Sequence, residues 1–446
     1  MPSRDLKGVS VIVAGAGLAG LSAARELEAR GAAVTLVEAR GRVGGRVWTL
    51  RDQFANRQHA EGGADLIEQE QEHVHALAKA LGLETVRILG SGFGFYGPDA
   101  RGRRRIHTSL SGVAGVAKYL APVVRDFKLA EERWDSPVAA ALARRSVMSW
   151  LDERRAPAPM KAAMRGFRGF FLADPEDLSL LPLVEQFAES GPPGKTAFFR
   201  VKGGNDRLAT ALARRLRGAL LLDTVVRRIV QHDERVTVTI EGLGKPHTEI
   251  TAEYVVCALP ASTARGVLFE PALPEAQQDA IAHLRYGCAT RLLLQFDRRF
   301  WRRRGRPTAF GTDLDTGAIW DGNEQQQGPA GILSFLAGGH ASRALQEIVR
   351  TEGERGVIER LGWLGRPSRL LAAQTVVWDH DPWARGGYAY FDPSFDPLWR
   401  AWLARSAGRV VFAGEHTSIK YQGYMNGAIE TGLRAAAEIS ALNDRG

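Results

Sequence analysis

The sequence predicts an α/β fold in which a parallel-sheet domain of the Rossmann type is interrupted by an inserted α+β domain. Three observations lead there. A β-branched run, "VSVIV", is followed at once by "AGAGLAG" and then by a helical stretch. A second apolar run, "AAVTLVEAR", ends in an acid. Further strand-like runs recur much later, beyond a long middle section of helical pattern. Each element has a local reason. The run from Val9 is the continuous apolar kind that suits a strand buried on both faces. Gly15, Gly17 and Gly20 form G-x-G-x-x-G: Gly15 for a tight turn, Gly17 for close approach of a pyrophosphate, Gly20 for close packing of helix on strand. "LSAARELEARG" reads as a helix closed by Gly31. Its N-terminus favours phosphate charge. Glu38 follows the glycines by about 20 residues, where an acid accepts from ribose hydroxyls. Strand, glycine turn, helix, strand and acid in this order make a dinucleotide site.

The nucleotide is FAD rather than NAD because "GRVGGR" at 41–46 follows the second strand directly. Gly44 and Gly45 can expose backbone N–H groups there, and Arg46 can neutralise a diphosphate. "EARGRVGGRVWT" and "HAEGGADLIEQ" (59–69) together resemble the flavin amine oxidase family of monoamine, polyamine and L-amino-acid oxidases. "AEYVVCALP", "RLLLQFDRRFW", "GILSFLAGGHASRAL", "VVWDHDPWARGGYAYFDP" and the tail "GEHTSIKYQGYMNGAIETG" are similar to further family segments, so the likeness runs from Val9 to about Ile439. It implies a flavin domain assembled from residues 1–75, 200–275 and 400–446, with a substrate domain from 76–199 and 276–399.

The middle of the chain, about 72–200, is mainly helical in pattern. "WDSPVAAALARRSVMSWLDERR" has Ser136 as N-cap and Pro137 at the first helical position. "FRVKGGNDRLATALARRL" reads as a turn into an amphipathic helix, and "ALLLDTVVRRIVQHDERVTVTIEG" as strand, turn and strand. The polar loop "DGNEQQQGPAG" is expected to be exposed. In "RLLLQF", strand alternation puts Arg291, Leu293 and Gln295 on one face.

The resemblance implies hydride transfer from an amine to flavin N5. The product imine then hydrolyses to aldehyde plus ammonia, and oxygen is reduced to hydrogen peroxide. The cofactor set it implies is Gly15, Gly17, Ala19, Gly20, Glu38, Ala39, Arg40, Gly44, Gly45, Arg46, Gly62, Gly63, Ala64, Val226, Gly414, Glu415, Gly423, Tyr424 and Met425. Tyr424 matches one wall of the family's aromatic cage. Tyr388 stands where monoamine oxidases carry the cysteine that bonds the flavin, so non-covalent FAD is expected, and Ala389 stands at the second wall, leaving Tyr388, Tyr390 or Trp378 to supply it. Arg291 stands where the family has a lysine that assists reaction with oxygen. Because Arg and Lys are not interchangeable, altered oxygen reactivity and another electron acceptor are expected. Tyr424, Arg291 and Tyr388 form the expected catalytic set. An L-amino-acid oxidase or oxygenase is the nearest alternative, opposed by Asp65 at the place of that branch's arginine; a flavin dehydrogenase with a non-oxygen acceptor is the other.

Composition bounds the rest. The 446 residues have 45% hydrophobic and 24% charged content, ordinary for a globular protein. Two cysteines, Cys257 and Cys288, cannot make a disulfide framework and suggest a reducing, cytoplasmic setting. No stretch reaches the ~20 apolar residues of a membrane span. The net charge of +9 gathers in arginine clusters at 101–105 and 302–306; without a nucleic-acid motif these read as solvated surface. His73 and His75 lie two apart with no third ligand, so no metal is expected. His416 reads as structural beside the flavin. The expected partners are a small-molecule amine and oxygen or another acceptor, with no nucleic acid and no membrane; the assembly is open to a homodimer.

Overall fold

The apolar run after Val9 forms β1 (Ser10–Ala14), the centre of a five-stranded sheet. This computed structural model describes residues 6–108, 111–190, 196–242, 244 and 246–444. The sheet order is Ala219–Leu221, β2 (Ala33–Val37), β1, Tyr254–Cys257 and Val410–Phe412. All four pairings are parallel. Its strands therefore come from three separated stretches of chain. Helix α1 (Leu18–Ala29) and the C-terminal helix Met425–Asn443 cover one face, closing a core with Val11, Val13, Leu36, Val256 and Val411. Their approach is close enough that a Cβ on Gly432 would meet Ala19 O at 2.3 Å. The other face, through Ile12, Val37 and Val255, packs against Ile229 and Val238 of a four-stranded sheet.

That second sheet corrects the reading of residues 219–242 as one strand pair. Ala219–Leu221 joins the parallel sheet, and the chain then turns at Asp223 (φ 50°) into Thr224–Gln231 and Val236–Gly242, which pair antiparallel.

A third, seven-stranded sheet runs Leu370–Val377, Ala289–Phe296, Gly331–Gly338, Ala318–Asp321, Ala309–Thr312, Phe93–Pro98 and Arg104–His107. Its last two strands, with Thr85–Ile88 of another sheet, lie in the stretch that reads as mainly helical. Phe93–Pro98 pairs with Ala309–Thr312, more than two hundred positions away, so its stabilising partner has no local signature. Alternation in Ala289–Phe296 holds. Leu292, Leu294 and Phe296 pack against Leu345 and Ile348 of the helix His340–Glu359. Leu293 faces Leu50 and Phe54, and Gln295 Nε2 donates to Ala55 O at 3.0 Å.

The helical remainder forms its own core around Leu120, Trp150 and Leu181. Ser136 caps as expected, accepting from Ala139 N at 3.1 Å. The helix it starts ends at Ala143, however, and Ser146 caps a new one, Val147–Glu153. A serine that can accept from the backbone three residues on offers the chain an alternative to continuing the helix. The loop at 321–331 is also corrected: Asp321 and Asn323 are fully buried. Asp321 accepts from Trp301 Nε1 and Arg302 Nε, and Asn323 Oδ1 from Ile332 N, so both side-chain carbonyl groups find donors inside the protein.

Candidate active site

The carboxyl ends of four parallel strands open into one cavity of about 2120 Å³, walled on its far side by the seven-stranded sheet and the helices. Gly15, Glu38, Ala258 and Gly414, each just past a strand, line it. This is where open α/β sheets bind ligands.

One arm is made of backbone. Gly15 has φ +102° and donates to Val37 O at 2.7 Å. Gly44 (φ +97°) donates to Ala16 O at 2.8 Å, which brings the "GRVGGR" turn against the first glycine turn. A Cβ on Gly17 would meet nothing within 4 Å: the space beside it is open. Helix α1 begins there with no side-chain cap and no acid in its first turn, so its N–H groups face the cavity unsatisfied. Ala19, Ala39, Arg40, Gly45, Ala64 and Val226 line the same arm. The buried Glu38 carboxylate accepts from Ala16 N at 2.8 Å and Arg40 N at 2.9 Å. Arg40 also pairs with Asp381 at 2.5 Å. Gly20 does not reach the cavity. A Cβ there would stand 1.8 Å from Gly15 O, so its role is close packing. Gly62 also lies outside; its carbonyl accepts from Trp378 Nε1 at 3.0 Å.

The two arms meet at the tail. Arg46 Nη1 donates to Gly387 O at 2.7 Å and to Glu415 Oε1 at 2.9 Å. Glu415 Oε2 accepts from Gly423 N at 2.8 Å, fixing the turn before Tyr424. Gly414 (φ +132°), Glu415, Gly423, Tyr424 and Met425 all line the cavity. The C-terminal helix starts at Met425 and, like α1, has no side-chain cap and no first-turn acid. His416 is buried behind this segment. Burial, with Arg46 and Arg434 pressing the same way, brings its pKa down to about 4, so it is neutral at pH 7.

The second arm is made of side chains. Phe93, Phe170, Phe171, Phe198 and Leu336 give it an apolar wall. Tyr388 packs beside Gly423, where a Cβ would meet its ring at 3.3 Å, and its hydroxyl donates to Phe170 O. Tyr390 and Trp378 line the cavity too. Burial raises the pKa of the Glu68 carboxyl, with Glu70 adding to it, while the nearby Tyr424 hydroxyl opposes the shift. Burial raises both the Tyr388 and Tyr424 phenols, so neither ionises near neutrality.

Arg291 is 3% exposed. Its Nη2 donates to Gly63 O at 2.7 Å and Nη1 to Ser334 Oγ at 3.1 Å. Nη1 lies 3.7 Å from Asp65 Oδ2, and the guanidinium sits 4.8 Å over the Trp320 ring. Asp65 in turn accepts from Arg200 Nε and from Trp320 Nε1 at 2.8 Å. Burial lowers the pKa of Arg291 while Asp65 opposes the shift. Sequence reasoning singles out Arg291 and Asp65 separately but misses that one buried network holds both. It also misses Glu68, which sits inside a quoted segment without any pattern of its own, and Trp320.

A profile for flavin containing amine oxidoreductase matches residues 18–440. The chain belongs to this family. It is 27% identical over 467 residues to the flavin-containing amine oxidase B of Cavia porcellus, covering 96% of this chain and 85% of that protein. It is 25% identical over 465 residues to the L-amino-acid oxidase of Gloydius halys, covering 98% and 90%. Among solved structures, cyclohexylamine oxidase from Brevibacterium oxydans IH-35A superposes with a TM-score of 0.85 at 25% identity, covering 98% of this chain and all of that one.

As a member of the flavin amine oxidoreductases, the chain is a flavin-dependent enzyme acting on amines. The residues present fit the flavin. The open space beside Gly17 and two bare helix N-termini at a continuous cavity suit a ligand with anionic phosphates at one end and an electron-accepting ring at the other. Neither Cys257 nor Cys288 lines the cavity. Among the described residues no helix is long and apolar enough to cross a membrane.

Proposed function

We propose that the protein binds FAD non-covalently and oxidises an amine to an imine, which water then converts to aldehyde plus ammonia, with oxygen or another acceptor taking the electrons. The observation that carries this is the single cavity joining the glycine cradle to an aromatic arm through Glu415, Gly423 and Tyr424. FAD, when bound, supplies the hydride acceptor. Gly15, Gly17, Gly44 and Gly45 would hold its pyrophosphate, and Glu38 its ribose. Val226 would pack on the adenine. The absence of a thiol from the cavity wall supports non-covalent binding. The parallel sheet and the seven-stranded sheet support division into a flavin unit (1–75, 200–275, 400–446) and a substrate unit (76–199, 276–399).

The chain's residues do the rest. The aromatic arm favours the amine in its neutral form, because burial disfavours the ammonium. Tyr424 and Tyr388 orient it from two sides, which assigns the second wall to Tyr388. The bare N-terminus of the helix at Met425 offers positive potential worth up to ~2 kcal/mol in partly buried geometry. An α-amino acid would need a cation for its carboxylate, and Arg200 and Arg291 are both committed to Asp65; this favours amines. Arg291 also favours a second reading for the acceptor. Its guanidinium is held by Gly63, Ser334 and Trp320, leaving less freedom to hold a water than a lysine ammonium would have.

The test is anaerobic titration of purified holoprotein with a panel of amines and amino acids. Bleaching of the flavin band by amines is expected, and acid precipitation should leave the flavin in the supernatant. Bleaching by no amine, or by α-amino acids in preference to their decarboxylated amines, overturns the reading.

A further inference from the structure

The two aromatic walls arrive on separate stretches of chain. Tyr388 precedes the short strand Ala389–Tyr390, and Tyr424 precedes the C-terminal helix. Each has its own fastening. The Tyr388 hydroxyl donates to Phe170 O, and Gly423 N, next to Tyr424, donates to Glu415 Oε2 at 2.8 Å. The gap between the walls depends on bonds that cross from one stretch to the other. Arg46 supplies one such tie, reaching Gly387 O and Glu415 Oε1. Gln422 supplies another, just past Tyr388 in the chain: its Nε2 donates to Ala389 O at 3.2 Å.

Gln422 is itself held by Arg400. That guanidinium is 7% exposed and sits 4.7 Å over the rings of both Trp134 and Phe391. Its Nη2 donates to Ile419 O at 2.8 Å and to Ser418 O at 3.1 Å, and its Nη1 to Gln422 Oε1. The chemistry of this junction admits few side chains. Arginine can only donate and a backbone carbonyl can only accept, so the group between them must accept at one atom and donate at another. A side-chain amide does both, and its two partners fix which end is oxygen. A glutamate would keep the bond to Arg400 but set a second acceptor against Ala389 O. Gln422, Arg400, Phe391, Tyr388 and Tyr424 all line the cavity, so the tie lies at the reaction arm itself.

We propose that Gln422, anchored by Arg400, is a positioning residue that sets the gap between the Tyr388 and Tyr424 walls, and through it the breadth of amine that enters. This rests on the amine-oxidation reading, in which both rings flank the reacting end of the substrate. With the gap fixed, a flat CH2–NH2 end fits between the rings, while a branch on that carbon presses on one of them. With the Ala389 bond gone, the strand Ala389–Tyr390 can draw away from the tail. The branched amine then gains relative to the unbranched one.

The experiment compares benzylamine and hexylamine, each with its α-methyl counterpart, by anaerobic flavin reduction in wild type, Gln422→Glu and Gln422→Met. Wild type should favour the unbranched amine by about tenfold or more, the scale of one misfitted carbon in a packed pocket. In both variants that ratio of kcat/KM should fall about 2- to 10-fold, the effect of one hydrogen bond. Gln422→Glu, which keeps the Arg400 bond, decides if the Met variant fails to fold. A further protein places Gln422→Glu on Tyr388→Leu. Because Gln422 acts through the Tyr388 ring, the ratio should then change no further. No preference in wild type, a ratio unchanged in both variants, a shift in Gln422→Met alone, or an equal shift with the Tyr388 ring removed overturns the positioning role alone. So does loss of flavin from both variants, which would make the tie a support of the cofactor. Reduction by no amine at all overturns the oxidase reading and the positioning role with it.

Discussion

The glycine arm of the cavity is built from backbone whose positions are set within short stretches of chain, whereas the reaction arm is built from side chains that meet only after folding. Gly15, Gly17, Gly44 and Gly45 shape the first by φ angles and missing Cβ atoms. Asp65, Arg200, Arg291 and Trp320 shape the second through bonds to Asp65 that span 135 residues of chain from Arg200 and 255 from Trp320. The difference teaches where damage should appear. Changes in the backbone arm should remove the cofactor and leave the fold; changes in the side-chain arm should cost stability or alter the reaction.

The sharpest way to break the contrast is Asp65→Ala. It would leave Arg200 and Arg291 buried without their shared carboxylate. Breaking a buried pair in this way costs about 3–5 kcal/mol. A fall of that size in urea stability of the flavin-free protein is expected. A loss below about 1 kcal/mol, the scale of an exposed pair, would mean that the network is not the support of the reaction arm.

Gly17→Leu tests the other arm. Its φ of −70° suits any residue, and the added Cβ meets no protein atom. Only the ligand should object. FAD affinity should drop by at least about 100-fold, about 2.7 kcal/mol, while the melting temperature of the flavin-free protein stays at the wild-type value. Unchanged flavin content in the purified variant would move the pyrophosphate elsewhere.

The same contrast explains what could be read in advance. β1, α1 and β2 were legible because apolar periodicity and glycine spacing are local, and Gly20 announces its packing role through spacing alone. Strand Phe93–Pro98 was not, because its partner Ala309–Thr312 lies far along the chain. The loop at 321–331 misled for a related reason. Composition suggests exposure, but Asp321 and Asn323 find partners at 301–302 and 332 that no periodicity reveals. Tyr424 was identifiable from the tail motif, yet the Glu68 carboxyl near it was not.

A pH series probes the side-chain arm more gently. Glu61 accepts from Thr49 Oγ1 at 2.7 Å and Asn205 N at 3.0 Å. Burial, and then the nearby Asp65 charge, raise its pKa from 4.5 to about 8. Between those values the native state holds a proton that the unfolded chain has lost. Stability from this group therefore falls as pH rises through the window and levels off above it. The neutral His59 and His416, both lowered to about 4, contribute the opposite slope on the acid side. Glu61→Gln isolates the first effect. It should flatten the difference between pH 5 and 8 by on the order of 1–2 kcal/mol, read as urea midpoints; identical slopes in the two proteins would place the proton elsewhere.

The smallest expected effect concerns the residue at which the two arms would meet the reaction. Arg291 reaches toward Gly63, next to cavity-lining Ala64, from a strand of the seven-stranded sheet, so it is the side-chain arm's contact with the cofactor arm. Its Nη1 and Nη2 donate to Ser334 and Gly63 and its face is against Trp320, which holds the planar group in place although its Nε–H has no partner among the described residues. A lysine has a shorter, more mobile cation with three donors and can keep one for a water. Arg291→Lys should therefore speed reoxidation of the amine-reduced enzyme by air about tenfold, about 1.4 kcal/mol in barrier, with amine affinity little changed. Stopped-flow absorbance reads both half-reactions separately. If wild type already reoxidises at typical oxidase rates and the lysine variant gains nothing, Arg291 serves only the buried network, and oxygen stands as the acceptor without any need for another.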